Sequence, residues 1–427
     1  MGGRMNLPVI QDTDLKNKIV LLRVDHNVVK KGIIKDPFRI EASLKTINYI
    51  LDEGGHPVIM SHVGRPRDKA TGQIEISENT SVQPIVNFLE ISLNKKIEIP
   101  EITKKDKLGI TSIDIQSKLQ KIRDGKLDII YLPNTRWFAG EESGNEKTLQ
   151  FGLMLTEFCD LFVNDAFGSW QPHASTMEPA KHLPSYAGFL MQREIENLKK
   201  ILNPQKPFLA VIAGSKFDTK IGPLTALLQK ADHLLMGGVI YNAYLCARYD
   251  IQIKGIEPED IASAEKFLDS TADLHDKLVE IPYIVESELP DKKEAGKFRT
   301  IAVKDLQAGM KLNYVLDADE SSFAAPEIQQ VFKSAKTLFV NAVMGFTPHF
   351  TAGSKALYEI IAANQETMNL LGGGDTLQEF RSLLPELYKH ASNKENYYFF
   401  TGGGTILKVI QEGSPYELEP VKALIKK

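Results

Sequence analysis

Cysteine is scarce in this chain of 427 residues: there are two, Cys159 after Glu157-Phe158 and Cys246 after Tyr244-Leu245. Two scattered thiols in apolar sequence exclude a disulfide framework and a zinc site, and they read as buried thiols in a reducing compartment. Long apolar runs are also missing, since none approaches the ~18 residues of a membrane span. Residues Met1 to Met5 hold no apolar signal core, and Asn6 stands where myristoylation needs Ser or Thr. A soluble, cytoplasmic protein is expected. Charge of neither sign dominates, because the formal net charge is −4. That excludes a global pull toward nucleic acid or anionic membrane, so neither is expected as a partner and any basic site must be local. Familiar nucleotide signatures are absent too. There is no Gly-x-x-x-x-Gly-Lys-Ser/Thr loop and no His-Arg-Asp catalytic loop, and Leu377 stands where the third glycine of a Gly-x-Gly-x-x-Gly turn would fall. P-loop, protein-kinase and dinucleotide-binding readings lose their main support.

What is present is a regular alternation. Short apolar runs at Ile19–Val24, Pro57–Met60, Asp128–Leu132 and Leu161–Val163 alternate with segments of helical period such as Ile40–Leu51. A second set comprises Pro207–Ile212, Leu234–Met236, Tyr283–Val285, Thr337–Val340, Met368–Leu371 and Tyr397–Phe400. Runs that are apolar throughout suit a parallel sheet covered by helices on both faces. The expectation is an α/β protein with two doubly wound parallel-sheet domains and a ligand cleft between them. Tyr186 to Leu202, with Phe189, Leu190, Ile195, Leu198 and Ile201 in register, is expected to be one long hinge helix stopped by Asn203-Pro204.

Two glycine triplets carry the strongest chemical signal. Gly372-Gly373-Gly374 and Gly402-Gly403-Gly404 each follow an apolar run and open an amphipathic stretch. A strand, a glycine turn and a helix start point bare N–H groups at an anion, aided by the helix dipole. Asp375 and Thr376, directly after the first triplet, add a carboxylate for a metal and a hydroxyl. A nucleotide is the expected ligand. In open α/β sheets ligands lie beyond the carboxyl ends of the strands, and polar residues gather there in this sequence. In the first half they are Asp25 and Asn27, His62 and Arg65, Asn134 and Arg136, and Asn164 and Asp165, a side-chain set suited to a small phosphorylated acid. In the second half they are Gly214, Gly238, Asn341 and the two triplets, with Lys216 and Lys220 one helical turn apart. Taken singly, each has a bland explanation, as a surface ion-pair residue, a structural histidine or a turn asparagine. Together they favour a metabolite site in one domain and a nucleotide site in the other.

At this point the chain resembles the phosphoglycerate kinase family over essentially its whole length. Leu21-Leu22-Arg23-Val24-Asp25-His26-Asn27 is similar to that family's Arg-Val-Asp-Phe-Asn signature, and Ser61-His62-Val63-Gly64-Arg65-Pro66 to its Ser-His-Leu-Gly-Arg-Pro. Asn134-Thr135-Arg136, Asn164-Asp165-Ala166-Phe167-Gly168, Lys216 with Lys220, Asn341, and Gly372 to Thr376 follow in family order. The resemblance implies reversible transfer of the acyl phosphate of 1,3-bisphosphoglycerate to Mg-ADP, giving 3-phosphoglycerate and ATP. It implies that Arg23, Asp25, Asn27, Arg39, His62, Arg65, Arg136 and His173 hold the glycerate. Gly214, Lys216, Lys220, Gly238, Asn341, Gly372, Gly373, Gly374, Asp375 and Thr376 would serve the nucleotide, with Asp375 on Mg²⁺. Arg39, Lys216, Gly374 and Gly403 would act on the phosphoryl group in flight. The implied domains are 1–187 for the metabolite and 188–405 for the nucleotide, with 406–427 returning to the first, in a monomer.

Several positions depart from the family. Ser169-Trp170-Gln171-Pro172-His173 is one residue shorter than the usual segment and lacks its arginine. Asn341-Ala342-Val343 replaces Asn-Gly-Pro, and Gly345 to Gly353 lacks the acid that binds the nucleotide ribose. His26 stands for Phe, and Pro37-Phe38 precede Arg39. A kinase for a related acyl phosphate or nucleotide, and a non-catalytic nucleotide-binding protein on the same scaffold, are the other readings.

Overall fold

A computed structural model describes residues 7–217 and 220–425. The chain divides into two compact units, one comprising the residues up to Glu196 with those from Ser414 onward, the other Asn197–Gly413. The first division falls inside a helix, Phe189–Leu202, and the second just after the helix Gly403–Glu412, which Gly413 ends at φ +78°. The limits expected from the sequence lie nearby, at 187/188 and 405/406.

In the first unit, six strands form one parallel sheet: β1 (Ile19–Val24), β2 (His56–Met60), β3 (Ile97–Glu98), β4 (Ile129–Tyr131), β5 (Leu161–Asp165) and β6 (Ser185–Ala187), in the order β6-β5-β1-β2-β4-β3. Val20, Leu21, Leu22, Val58, Ile59, Phe162 and Val163 are wholly buried, as strands covered on both faces require. The register sets Arg23 opposite Met60 on one side and Asn164 on the other. Asp25, His62 and Asp165 therefore reach the same edge of the sheet. Helix α1 (Phe38–Asp52) starts where the Asp36 carboxylate accepts the Phe38 N–H at 3.0 Å, so Pro37-Phe38 place Arg39 in its first turn. Ile40, Ile47 and Ile50 anchor it in the core, each burial worth about 1.5–3 kcal/mol.

In the second unit, six further strands form a second parallel sheet: β7 (Phe208–Gly214), β8 (His233–Gly237), β9 (Leu278–Val279), β10 (Thr337–Asn341), β11 (Met368–Gly372) and β12 (Tyr397–Phe400). Their order is β9-β8-β7-β10-β11-β12. Winding runs outward from β7 in one direction and then from β10 in the other, so the sheet switches direction between those two strands. Ala213 lies opposite Gly237, Ile212 opposite Asn341, and Gly372 opposite Phe400. The glycine-rich ends are thereby aligned.

One expected strand lies elsewhere. Tyr283–Ser287 belongs to a separate antiparallel sheet with Phe298–Ala302 and Tyr314–Ala318. Its apolar character is local, whereas its partners lie further along the chain, and Leu278–Val279 takes the sheet position expected for it. The long helix begins at Phe189 and not Tyr186, because Ser185–Ala187 pairs with β5. No helix among the described residues is long and apolar enough to cross a membrane.

Candidate active site

In the first unit the sheet edge carries a charged cluster with a buried support. Arg39 Nη1 lies 3.3 Å from Asp25 Oδ2 and 3.4 Å from Oδ1. Burial disfavours the Asp25 carboxylate, but the Arg39 guanidinium, with Arg23 and the Asn27 N–H, outweighs it and holds the group below its ordinary range. Asn27 Oδ1 accepts the Gly64 N–H at 2.9 Å, pinning the turn between His62 and Arg65. Arg136 donates to the Gly64 carbonyl at 2.6 Å from the other side. Arg65 itself is exposed and has no hydrogen-bond or ion-pair partner among the described residues.

Arg23 is wholly buried. Its Nε donates to Ser175 Oγ at 2.9 Å, its Nη1 to the Val24 carbonyl, and its Nη2 lies 3.1 Å from His62 Nδ1. A guanidinium has no acceptor, so Nδ1 accepts and the His62 proton sits on Nε2. Burial, with Arg23 beside it, pushes the His62 pKa well down, and the imidazole is a neutral donor. Arg23 thus stands behind His62 as its support.

Sequence reasoning missed the acidic side of this cluster. Glu141, 1% exposed, accepts the Ser175 N–H at 2.9 Å and its hydroxyl at 2.6 Å, completing a chain from Arg23 through Ser175. Glu142 faces Arg136, Arg67 and His173. Two adjacent acids a few residues after Arg136 are the only signal the sequence offers for them. Asn164 and Asp165, read as pocket residues, have structural roles. Asn164 Oδ1 accepts the Ala166 N–H, and Asp165 accepts the Met191 N–H at 3.1 Å, fixing the start of the Phe189–Leu202 helix. Burial raises Asp165 to about 6.

In the second unit the site is made of backbone. Gly373 has φ +112°, and a β-carbon there would stand 3.1 Å from Asn341 Nδ2 and 3.1 Å from Thr376 Oγ1. A β-carbon on Gly403 would likewise meet Asn341 Nδ2 at 3.1 Å. The two triplets and Asn341 therefore converge at the carboxyl ends of β10, β11 and β12. Helices Gly374–Leu383 and Gly403–Glu412 both begin there, presenting unpaired N–H groups. Nothing lies within 4 Å of a β-carbon on Gly374, so its face is open. Gly214 and Gly238 meet in a parallel bridge beside β7, where Gly238 takes φ +63°. Lys220 Cε lies 3.2 Å from a β-carbon on Gly214, and burial lowers the Lys220 pKa. The two lysines are not one turn apart on a helix. Lys216 is exposed in the loop after β7, and Lys220 is the residue before the helix Ile221–Lys230, because the strand runs on to Gly214. Asp375 is exposed in the first turn after Gly374 and has no hydrogen-bond or ion-pair partner among the described residues. Thr376 is buried, its carbonyl accepting from Tyr358.

The phosphoglycerate kinase family model matches residues 10–413. Phosphoglycerate kinases of Pseudothermotoga lettingae and Dictyoglomus turgidum are 32% identical over 412 residues and 30% identical over 413, spanning in each case 94% of this chain and 95% of the relative. The solved phosphoglycerate kinase of Coxiella burnetii is similar at TM-score 0.73 and 28% identity, covering 98% of this chain and 99% of its own. That of Pyrococcus horikoshii reaches 0.76 at 22% identity over 98% of each chain, a likeness of fold.

Proposed function

The chain belongs to the phosphoglycerate kinase family, and we propose that it transfers a phosphoryl group reversibly between the carboxyl group of 3-phosphoglycerate and ADP, forming 1,3-bisphosphoglycerate or ATP. The observation that carries this reading is the division of labour at the strand ends. One unit offers the cations Arg39, Arg65 and Arg136 with neutral His62, and the other a glycine cradle around Asn341.

Arg39, Arg65, Arg136 and His173 bind the acid, Asn27 holds the loop, and Asp25 aims Arg39. Arg39 and Lys216 neutralise the charge on the phosphoryl group in flight, and the N–H groups at Gly374 and Gly403 accept it on the nucleotide side. A carboxylate is the nucleophile, so no base has to remove a proton from it. Arg23 and Glu141 keep His62 in the tautomer that donates. Gly214, Gly238, Gly372, Gly373, Lys220 and Thr376 complete the nucleotide contacts.

Magnesium fits Asp375: a hard cation that travels with nucleotide phosphates needs few protein oxygens, and this carboxylate is exposed beside the open Gly374. When bound it neutralises phosphate charge. The protein would act in the cytoplasm as a monomer, closing on its substrates by bending at the helix that joins its units, with no nucleic acid or membrane partner. An acceptor panel tests the reading: ATP consumption should depend on 3-phosphoglycerate and should not be supported by glycerate or acetate. Faster turnover with another carboxylate would reassign the acceptor.

A further inference from the structure

The reaction as assigned does not use Arg67 or Glu142. The Glu142 carboxylate lies 2.9 Å from Arg136 Nε, 3.7 Å from His173 Nε2 and 4.0 Å from Arg67 Nε. These three groups come from separate segments: Arg67 follows the His62–Pro66 turn, Arg136 sits in the short helical turn Thr135–Trp137, and His173 precedes the helix Ala174–His182. Arg67 is steered inward by the carbonyls of Gly72 at 3.3 Å and Ala139 at 3.4 Å.

The cluster sets one carboxylate against two guanidinium groups, and its hydrogen bonds are incomplete. Nε of Arg67 and Nε of Arg136 are both buried and make no hydrogen bond: Glu142 is 4.0 Å from the first, too far, and beside the second, at 2.9 Å, its oxygen lies off the N–H direction. Buried donors left unmade are costly, and a tetrahedral oxyanion with three terminal oxygens can meet several forks at once. Glu142 is also free to leave. It lies in a turn and its side chain is 22% exposed, whereas neighbouring Glu141 is locked by Ser175.

We propose that Arg67, with Arg136 and His173, forms the seat for the phosphate group of the acid substrate, and that Glu142 is a built-in counter-ion occupying the seat until that phosphate displaces it. Arg67 is then a substrate-binding residue and Glu142 a competitor that sets the affinity. This rests on the reading of a phosphorylated acid as substrate.

The variants Arg67→Gln, Arg67→Lys and Glu142→Gln test it, with native folding checked by circular dichroism. Two quantities are read at constant ionic strength: KM for 3-phosphoglycerate, and the inorganic sulfate concentration giving half the maximal rise in Tm. Arg67→Gln should raise both roughly tenfold, the loss of one charge-assisted hydrogen bond, and Arg67→Lys should raise them less. Glu142→Gln should lower both by at least about threefold, while KM for Mg-ATP stays within about twofold in every variant. The proposal is overturned if Arg67→Gln leaves both quantities unmoved, or if Glu142→Gln raises them, which would make Glu142 an orienting residue. Sulfate binding needs no turnover. A seat that binds sulfate in a protein inactive on 3-phosphoglycerate would sink the substrate assignment and leave the seat standing.

Discussion

Gly403 and Gly373 approach so closely that a β-carbon on Gly403 would stand 2.6 Å from the Gly373 Cα and 3.0 Å from its nitrogen. The obstacle is backbone and cannot rotate away. Gly403→Ala is therefore expected to force the two triplets apart, costing about 1–3 kcal/mol of stability and most of the nucleotide affinity. Gly374→Ala, with open space around its β-carbon, should leave Tm equal or higher. Thermal melts of both variants check the contrast, and equal destabilisation would mean the triplets are not in contact.

Asp375 is exposed beside Gly374 and has no charged partner among the described residues. If it holds magnesium, Asp375→Asn should weaken Mg-ADP by about tenfold or more while free ADP changes by less than about threefold. Calorimetry with and without magnesium makes the comparison. Equal weakening of both would remove Asp375 from the metal.

Nucleotide selectivity should be lax at the ribose. The segment Thr347-Pro348-His349 has no carboxylate, and a buried polar partner is what makes loss of a hydroxyl costly. The structure narrows the substitutes. Glu366 pairs with Lys336 at 2.9 Å, before β11 begins and away from the glycine ends. Glu379 is buried one turn beyond Asp375, and burial pushes it up to about 7. Replacing ATP with 2′-deoxy-ATP should lower kcat/KM by about tenfold or less. A loss of about a hundredfold would implicate Glu379 or a residue near it.

His26 is expected to be a structural residue with a pH signature. Its ring is wholly buried: Ser43 Oγ, which donates to the Ile40 carbonyl, accepts from Nε2 at 2.9 Å, leaving Nδ1 to accept the Tyr131 hydroxyl at 3.0 Å. Burial lowers its pKa from 6.5 to about 3. Below pH 6.5 the unfolded chain takes up a proton that the folded chain refuses until about 3, so stability falls by up to about 1.4 kcal/mol per pH unit in that window. His26→Phe removes the imidazole acceptor of the Tyr131 hydroxyl and the donor to Ser43, and should cost about 1–3 kcal/mol at neutral pH. It also removes the acid slope, so the deficit should narrow in urea melts near pH 5. A deficit that stays constant would show that His26 does not remain neutral in the folded protein.

How far the sequence reveals this protein follows from what each element depends on. Ile19–Val24 is legible to the residue because a strand buried on both faces is apolar throughout. Ile97–Glu98 and Ser185–Ala187 are not, since two or three residues, some polar, leave no period to read. Tyr283–Ser287 looks like the other strands, and only its distant antiparallel partners distinguish it. At the site, Asp25, His62, Arg136 and the triplets stand out because polar or glycine residues end apolar runs. That Arg23 is buried behind His62, and that Glu142 sits between two arginines and His173, depends on segments brought together across the fold. No local pattern carries that information.

The most direct test of the account couples the reverse reaction, 3-phosphoglycerate with Mg-ATP, to consumption of the bisphosphoglycerate formed, in the wild-type chain and in Arg39→Ala. The wild type should turn over. The variant should lose roughly 10²–10³-fold in kcat, as when one transition-state donor is removed, while its affinity for Mg-ADP changes by less than about threefold. Near-normal turnover in Arg39→Ala, or no turnover in the wild type, would contradict it.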